Sequence, residues 1–146
     1  VEIIADGRHL PTGLLKLIYK CKGADGVCLI TDAMRAAGLG DGARSVLGRK
    51  DDGLPVTVED GVAKTLDRQS FAGSVATTDR LVRTMAGIGV SLTDISKMAS
   101  ATPARVMGFT DRGAIEVGKR ADFVFMNDAL EVTKVIRGGE IVRAKE

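Results

Sequence analysis

The chain has 146 residues, 45% of them hydrophobic, so it is long enough to form one domain around a buried core. Aromatic residues make up 3%, and a net charge of +2 is spread over interspersed acidic and basic residues. Nucleic-acid binding favours a concentrated basic surface with stacking aromatics, so we expect no nucleic-acid partner. No apolar segment reaches the length of a membrane helix or resembles a signal peptide, and we expect a cytoplasmic chain with no membrane partner.

The two cysteines, Cys21 and Cys28, fall at the end of a predicted helix and inside a predicted strand. We interpret both as buried small apolar residues and not as a disulfide or a metal-binding pair, which suits a reducing compartment. The first residue, Val1, already lies within a predicted strand, with no methionine before it. We therefore expect the chain to be part of a longer protein.

The first thirty residues predict a strand, a helix and a second strand. Residues 1–5 are rich in β-branched side chains, and residues 26–30 form an apolar run typical of a strand buried on both faces. Apolar residues at helical spacing lie between them, with Thr12 as a possible N-cap and Gly23 as the stop. The crossover rule makes such a unit parallel and right-handed.

Polar residues follow both predicted strands, where parallel α/β enzymes keep their catalytic groups. Asp32 follows the second strand and is the candidate catalytic residue, although an aspartate there can also cap the next helix or turn. The segment Asp6-Gly7-Arg8-His9 follows the first strand, and its histidine is either functional or an ordinary turn residue. Residues 38–42 are glycine-rich but lack the ending of a phosphate-binding loop, so we interpret them as flexible.

The middle of the chain predicts a hairpin and then helices. Residues 54–64 form the hairpin, with Asp60-Gly61 at the turn. Residues 81–88 have helical apolar spacing, Ser91 caps a further helix with Asp94 as its capping partner, and Thr102-Pro103 begins a short helix ending at Gly108. The methionines on these helices are predicted to pack in the core: Met85, Met98 and Met107.

After Asp111 the pattern changes to short apolar runs that predict a small β unit. We place the boundary here, with residues 1–111 and 112–146 as two units, the second too small to hold a core alone. The predicted strands are residues 113–115, 121–126, 132–136 and 141–142.

Three segments together resemble the N-acetylglucosamine-6-phosphate deacetylases of the amidohydrolase superfamily. They are Asp6-Gly7-Arg8-His9, Ile30-Thr31-Asp32-Ala33-Met34 and Phe71-Ala72-Gly73-Ser74. A later segment, Asp111-Arg112-Gly113 with Val117 to Asp122, is shared by many amidohydrolases. The resemblance covers nearly the whole chain.

The resemblance implies an α/β fold in which residues 1–111 are the C-terminal part of a metal-dependent (β/α)₈ barrel. Residues 112–146 would be the terminal strands of a small β-sandwich domain. It also implies that Asp32 is the general base and acid, taking a proton from a metal-bound water and passing it to the leaving amine. Substrate would be bound by one turn with Asp6, Gly7, Arg8 and His9, and by a second with Phe71, Ala72 and Gly73.

The implied cofactor is a divalent metal ion, zinc above all, in the longer enzyme. The family holds it with a Glu and two His from earlier strands, whereas this chain has the single His9 and offers no obvious three-ligand set. We therefore expect no metal site within this chain alone and no activity of the isolated chain.

The function implied is hydrolysis of N-acetylglucosamine 6-phosphate to glucosamine 6-phosphate and acetate. One alternative is another cyclic amidohydrolase, such as a dihydroorotase or an adenine deaminase, because the C-terminal segment alone would fit those. The other is a catalytically silent module that associates with itself through exposed strand edges. We expect a homo-oligomer, most simply a dimer.

Overall fold

The computed structural model describes residues 1–144, and its first unit is a parallel strand pair joined by a helix. Strands β1 (Glu2–Ile4) and β2 (Cys28–Ile30) pair in parallel with Ile4 opposite Ile30, and helix α1 (Thr12–Lys22) connects them. The predicted strand–helix–strand unit and its parallel pairing are confirmed. Gly23 ends α1 with φ +65° and donates its N–H to the Tyr19 carbonyl oxygen, as expected of a glycine C-cap.

The predicted N-cap of α1 is wrong by one position. Pro11 occupies the cap with an extended backbone, and Thr12 is the first helical residue. The Pro11 carbonyl accepts the N–H groups of Leu14 and Leu15, so the helix starts without a side-chain cap.

Helix α2 spans Thr78–Gly87, and a longer helical run follows it. This run consists of α3 (Leu92–Ser96), a π-helical turn (Lys97–Ala101) and α4 (Thr102–Val106). The Ser91 hydroxyl accepts the Asp94 N–H at 3.2 Å, which confirms the predicted cap. The two helices predicted here exist, but the π-helical turn joins them without a break because the backbone keeps helical angles through Ala101 and Thr102.

The main core lies where the helices pack on the parallel pair. Side chains from all the helices are buried here against Ile3 of β1 and Leu29 of β2. They are Leu15 of α1, Leu81 and Met85 of α2, and Ile95 and Met98 of the 92–106 helical run. This core fixes the position of the strand ends that carry the candidate site. Two side chains predicted to be buried are exposed instead, since Cys21 lies on the solvent side of α1 and Met107 follows the last turn of α4.

A three-stranded antiparallel sheet follows, built from β3 (Arg44–Leu47), β4 (Leu54–Glu59) and β5 (Val62–Thr65). The predicted hairpin is confirmed, with Asp60 and Gly61 at φ +54° and +69° in its turn. Strand β3 was not predicted. The sheet covers a second core with small aliphatic side chains: Ala36, Val56, Val58, Ala63, Ala72 and Val75.

The last unit is an antiparallel sheet of β6 (Phe123–Met126), β7 (Val132–Arg137) and β8 (Glu140–Ala144). The three later predicted strands are confirmed within a few residues, but the strand predicted at residues 113–115 is wrong. Gly113 has φ +92°, and a Cβ there would lie 2.8 Å from the Ala104 Cβ, so the backbone bends to pass α4 closely.

The chain is therefore an α/β fold, with one parallel unit and two antiparallel sheets. Among residues 1–144, no helix is long and apolar enough to cross a membrane.

Candidate active site

Two aspartates follow the carboxyl ends of the two paired parallel strands. Asp6 follows β1 by two residues and Asp32 follows β2 by two, and the register places Ile4 opposite Ile30. The two carboxylates differ in environment, because Asp6 is only 1% exposed whereas Asp32 is open to solvent. The buried one is suited to holding other groups in place, and the exposed one can reach a ligand.

Asp6 holds the turn that contains His9. Its Oδ1 accepts the backbone N–H groups of Arg8 and His9, both at 2.9 Å, and its Oδ2 lies 2.9 Å from the His9 Nδ1. Burial by itself raises the pKa of Asp6, but the N–H groups of His9 and Arg8 and the His9 imidazole outweigh it, so the net pKa is below its usual range. An ionised Asp6 accepts hydrogen bonds and donates none, so the His9 Nδ1 must carry the proton between them.

The His9 ring is held from two directions. Asp6 binds Nδ1, and the Phe71 ring packs edge-on against the imidazole with centroids 5.1 Å apart and planes at 66°. Because Nδ1 faces Asp6, Nε2 is the ring nitrogen left for a ligand.

The Asp32 segment is bound to residues 71–74 through the backbone. The Asp32 carbonyl accepts the Ser74 N–H at 3.0 Å, and the Ser74 carbonyl accepts the Met34 N–H at 2.9 Å. Gly73 has φ +93°, and a Cβ on it would lie 3.3 Å from the Met34 side chain and 3.4 Å from the Asp32 carbonyl oxygen. Asp32 itself has φ +47°, an uncommon left-handed backbone for a non-glycine residue.

An open cleft of about 460 Å³ lies beside Asp32. Three of the predicted substrate-binding residues, Phe71, Ala72 and Gly73, line it, and His9 adjoins it through Phe71. Its volume suits a small organic ligand. The four residues of the first predicted turn, Asp6 to His9, lie outside the lining residues. Gly7 passes near the Thr84 side chain. The exposed Arg8 lies towards the hairpin turn, where the pKa of Asp60 is lowered chiefly by Lys64 and to a smaller extent by the charge of Arg8.

Two features of this site were not predicted. Arg35 lines the cleft and donates from Nη2 to the Gly48 carbonyl oxygen at 3.1 Å, which places a cation near Asp32. Ser74 is fully buried and its Oγ donates to the Asp6 Oδ2 at 3.3 Å. The sequence signal was a serine directly after the Phe71-Ala72-Gly73 segment, but only the fold reveals its burial and its partner 68 residues away.

The donor set does not fit a metal site by itself. Within residues 1–144, no group of three or more His, Cys, Asp or Glu side chains lies close enough to hold a metal ion. The Asp6 oxygens are occupied by N–H and O–H donors, which leaves Asp32 and the His9 Nε2 as free ligand atoms at these strand ends.

Comparisons with known proteins support the predicted resemblance. The sequence model of the amidohydrolase family matches residues 1–142. The chain is 36% identical over 141 residues to the N-acetylglucosamine-6-phosphate deacetylase of Lysinibacillus sphaericus, covering 96% of this chain and 35% of the relative. It is 34% identical over 143 residues to the N-acetylgalactosamine-6-phosphate deacetylase of Escherichia coli O157:H7, covering 97% of this chain and 36% of the relative.

A solved structure gives the same result. The N-acetylglucosamine-6-phosphate deacetylase of Thermotoga maritima superposes with a TM-score of 0.88 at 38% identity, over 99% of this chain and 38% of that chain. This chain thus spans roughly a third of the length of these relatives.

Proposed function

This chain belongs to the amidohydrolase family, and from that premise we propose that it forms part of the active site of a deacetylase for N-acetylglucosamine 6-phosphate. The products are glucosamine 6-phosphate and acetate. The observation that carries the proposal is the cleft at the strand ends, which the exposed Asp32 lines together with Phe71, whose ring packs against a His9 imidazole held by buried Asp6. The relatives reported above are named as deacetylases, which favours the deacetylase hypothesis over a dihydroorotase or an adenine deaminase.

In this proposal residues 1–111 contribute to a (β/α)₈ barrel. The parallel pair of β1 and β2, with its crossover helix α1 and polar carboxyl ends, is the kind of unit from which such barrels are built. Residues 112–146 contribute strands to a small β-sandwich domain, which is supported by the antiparallel sheet of β6, β7 and β8.

Enzymes of the amidohydrolase family are in general metal-dependent. The proposed cofactor is a divalent ion, zinc first among the candidates, held mostly by residues outside this chain. Because the residues of this chain do not complete a metal site, the roles below are derived for its own side chains alone.

Asp32 is the proposed proton carrier of the hydrolysis. A water molecule adds to the acetamide carbonyl and loses a proton, and the C–N bond then breaks. The nitrogen must be protonated before it leaves, since an amide anion is a very poor leaving group. One exposed carboxylate in the cleft can accept the first proton and return it to the nitrogen, so both steps use Asp32.

His9 and the 71–73 turn are the proposed substrate-binding groups. The His9 Nε2 offers a hydrogen bond to the substrate, and the Phe71, Ala72 and Gly73 backbone and side chains form a wall of the cleft. Gly7 and Arg8 contribute at the outer edge of the same turn, where the Arg8 cation can attract a phosphate. Asp6 acts through His9, because it is buried behind the imidazole.

The E. coli relative makes N-acetylgalactosamine 6-phosphate the second candidate substrate. The two sugars differ only in the configuration at C4, so both belong in the assay. The substrate with the higher kcat/KM identifies the sugar that this enzyme serves.

Asp32→Asn tests the proposal in the natural enzyme with the metal it carries when purified. Acetate release should fall about 10²- to 10⁴-fold in kcat, the usual contribution of general acid–base catalysis, with KM little changed. Asp51→Asn, in an exposed loop, is the matched control and should leave kcat unchanged. An Asp32→Asn enzyme that keeps its full kcat would remove the proton-carrier role.

The 146 residues alone are proposed to be inactive and to associate as dimers. The proposed compartment of the protein is the cytoplasm. Exposed apolar side chains on the last sheet, such as Val124 and Ile141, support association, and the free thiols of Cys21 and Cys28 suit a reducing compartment. Light scattering that shows a monomer, or acetate release by the isolated chain, would contradict this part.

A further inference from the structure

Ser74 occupies an unusual position between the two strand ends. Its side chain is fully buried, and its Oγ accepts the Ala76 N–H at 2.9 Å and donates to the Asp6 Oδ2 at 3.3 Å. A hydroxyl has one proton to donate. Because the Ala76 N–H donates its hydrogen bond to the Ser74 Oγ, the hydroxyl hydrogen of Ser74 is directed to Asp6.

The contact completes the coordination of the Asp6 carboxylate. An ionised carboxylate accepts about four hydrogen bonds, and here Oδ1 has the Arg8 and His9 N–H groups while Oδ2 has the His9 Nδ1 and the Ser74 hydroxyl. With all four directions used, the carboxylate cannot rotate without breaking a buried hydrogen bond. The plane of the carboxylate, and with it the direction of the His9 ring, is therefore set in part by Ser74.

The backbone of Ser74 binds the other strand end. Its N–H donates to the Asp32 carbonyl oxygen at 3.0 Å, and its carbonyl accepts the Met34 N–H at 2.9 Å. One residue thus connects the segment of the proposed proton carrier to the turn of the proposed substrate-binding imidazole.

We propose that Ser74 is a positioning residue, whose hydroxyl fixes Asp6 so that His9 donates from Nδ1 to Asp6 and presents Nε2 to the substrate. This inference rests on the proposed deacetylase function for its catalytic meaning. The orientation of His9 can nevertheless be measured without any substrate.

The first measurement uses the fact that His9 is the single histidine of the chain. Long-range ¹H–¹⁵N spectra of the 146-residue chain at about pH 8.5, above the ordinary imidazole pKa of about 6.5, report which ring nitrogen carries the proton. The expected wild-type spectrum shows the Nδ1–H tautomer. A wild-type Nε2–H tautomer overturns the inference without the need for any variant.

Ser74→Ala removes the hydroxyl and lets the Asp6 carboxylate turn away from Nδ1. The ratio of the two tautomers should then shift up to about fivefold towards Nε2–H, the effect of losing one ordinary hydrogen bond between His9 and Asp6. Ser70→Ala, in the same segment but exposed, should leave the ratio unchanged. Ser74→Thr keeps a hydroxyl and should restore the Nδ1–H tautomer. An unchanged ratio in Ser74→Ala contradicts the inference.

The second measurement is kinetic and uses the natural enzyme with its metal. Ser74→Ala should raise KM about five- to tenfold while kcat stays within about twofold, because His9 is proposed to bind the substrate and its transition state alike. A purely structural role would instead reduce the fraction of active enzyme, and thus kcat, at constant KM. That result overturns the positioning role.

The two proposals fail in different ways. If the wild-type enzyme hydrolyses neither amino-sugar phosphate, the proposed function is wrong, whereas the tautomer ratio still decides whether Ser74 orients His9. If the wild-type enzyme is active and Ser74→Ala changes neither the tautomer ratio nor KM, the deacetylase stands and the role of Ser74 falls.

Discussion

Replacing Gly73 by alanine tests how the cleft wall is built. Gly73 has φ +93°, and the new Cβ would lie 3.3 Å from the Met34 Cβ and Cγ and 3.4 Å from the Asp32 carbonyl oxygen. The substitution therefore combines two penalties, a backbone conformation that disfavours a side chain and a contact that forces its neighbours to move. Both act on the hydrogen bond between the Asp32 carbonyl and the Ser74 N–H.

Two other glycines separate these penalties. Gly38 has φ +77° with no heavy atom within 4 Å of a Cβ, so Gly38→Ala adds backbone strain alone, about 1–2 kcal/mol. Gly13 lies in helix α1 with equally open surroundings and no positive φ, and Gly13→Ala should stabilise by up to about 1 kcal/mol. Gly73→Ala should cost roughly 2–4 kcal/mol, because the crowding of Met34 adds to the strain.

The measurement is urea unfolding of the 146-residue chain followed by far-ultraviolet circular dichroism, with the three variants compared at one pH. From highest to lowest, the expected order of unfolding free energy is Gly13→Ala, wild type, Gly38→Ala and Gly73→Ala. If Gly73→Ala is no less stable than Gly38→Ala, the close approach of Gly73 to Met34 and Asp32 leaves room for a Cβ, and the predicted penalty from crowding is wrong.

Two further predictions concern the core and the buried carboxylate. Leu81→Ala, at a fully buried position, should lower the free energy of unfolding by about 2–5 kcal/mol, while Leu66→Ala, 55% exposed, should change it by less than about 0.5 kcal/mol; equal losses in urea unfolding would contradict the assigned core. Asp6 has a lowered pKa in the folded chain, since its hydrogen bonds outweigh its burial, so the stability it contributes is present above its ordinary pKa of about 3.9 and is lost as the pH falls below that value. The stability gap between wild type and Asp6→Asn should therefore narrow on acidification, and a gap that is independent of pH would show that Asp6 does not titrate this way.

The local pattern was sufficient where one segment contains all the information needed. The strands β1 and β2 and the helix between them follow from apolar runs and a glycine stop, and their parallel pairing follows from the connection. The hairpin turn at Asp60-Gly61 needs positive φ at both positions, which its residue types allow.

The errors lie where partners distant in sequence decide. Strand β3 has no alternating pattern, and it forms because β4 offers an edge to pair with. Residues 113–115 look like a strand but bend at Gly113 to pass α4. Cys21 and Met107 are apolar residues on the outer side of their segments, and their exposure depends on how the helices pack.

The candidate site shows the same division. By itself, the sequence indicated Asp6, His9 and Asp32 as polar residues after parallel strands, because chain order and residue type suffice for that inference. The segment that begins at Phe71 was indicated only by the resemblance to the deacetylases. The tertiary structure decided which of the two aspartates is buried, that the His9 ring rests on Phe71, and that Ser74 joins both strand ends. Burial and hydrogen-bond partners depend on distances between segments up to 68 residues apart, and such distances exist only once the chain has folded.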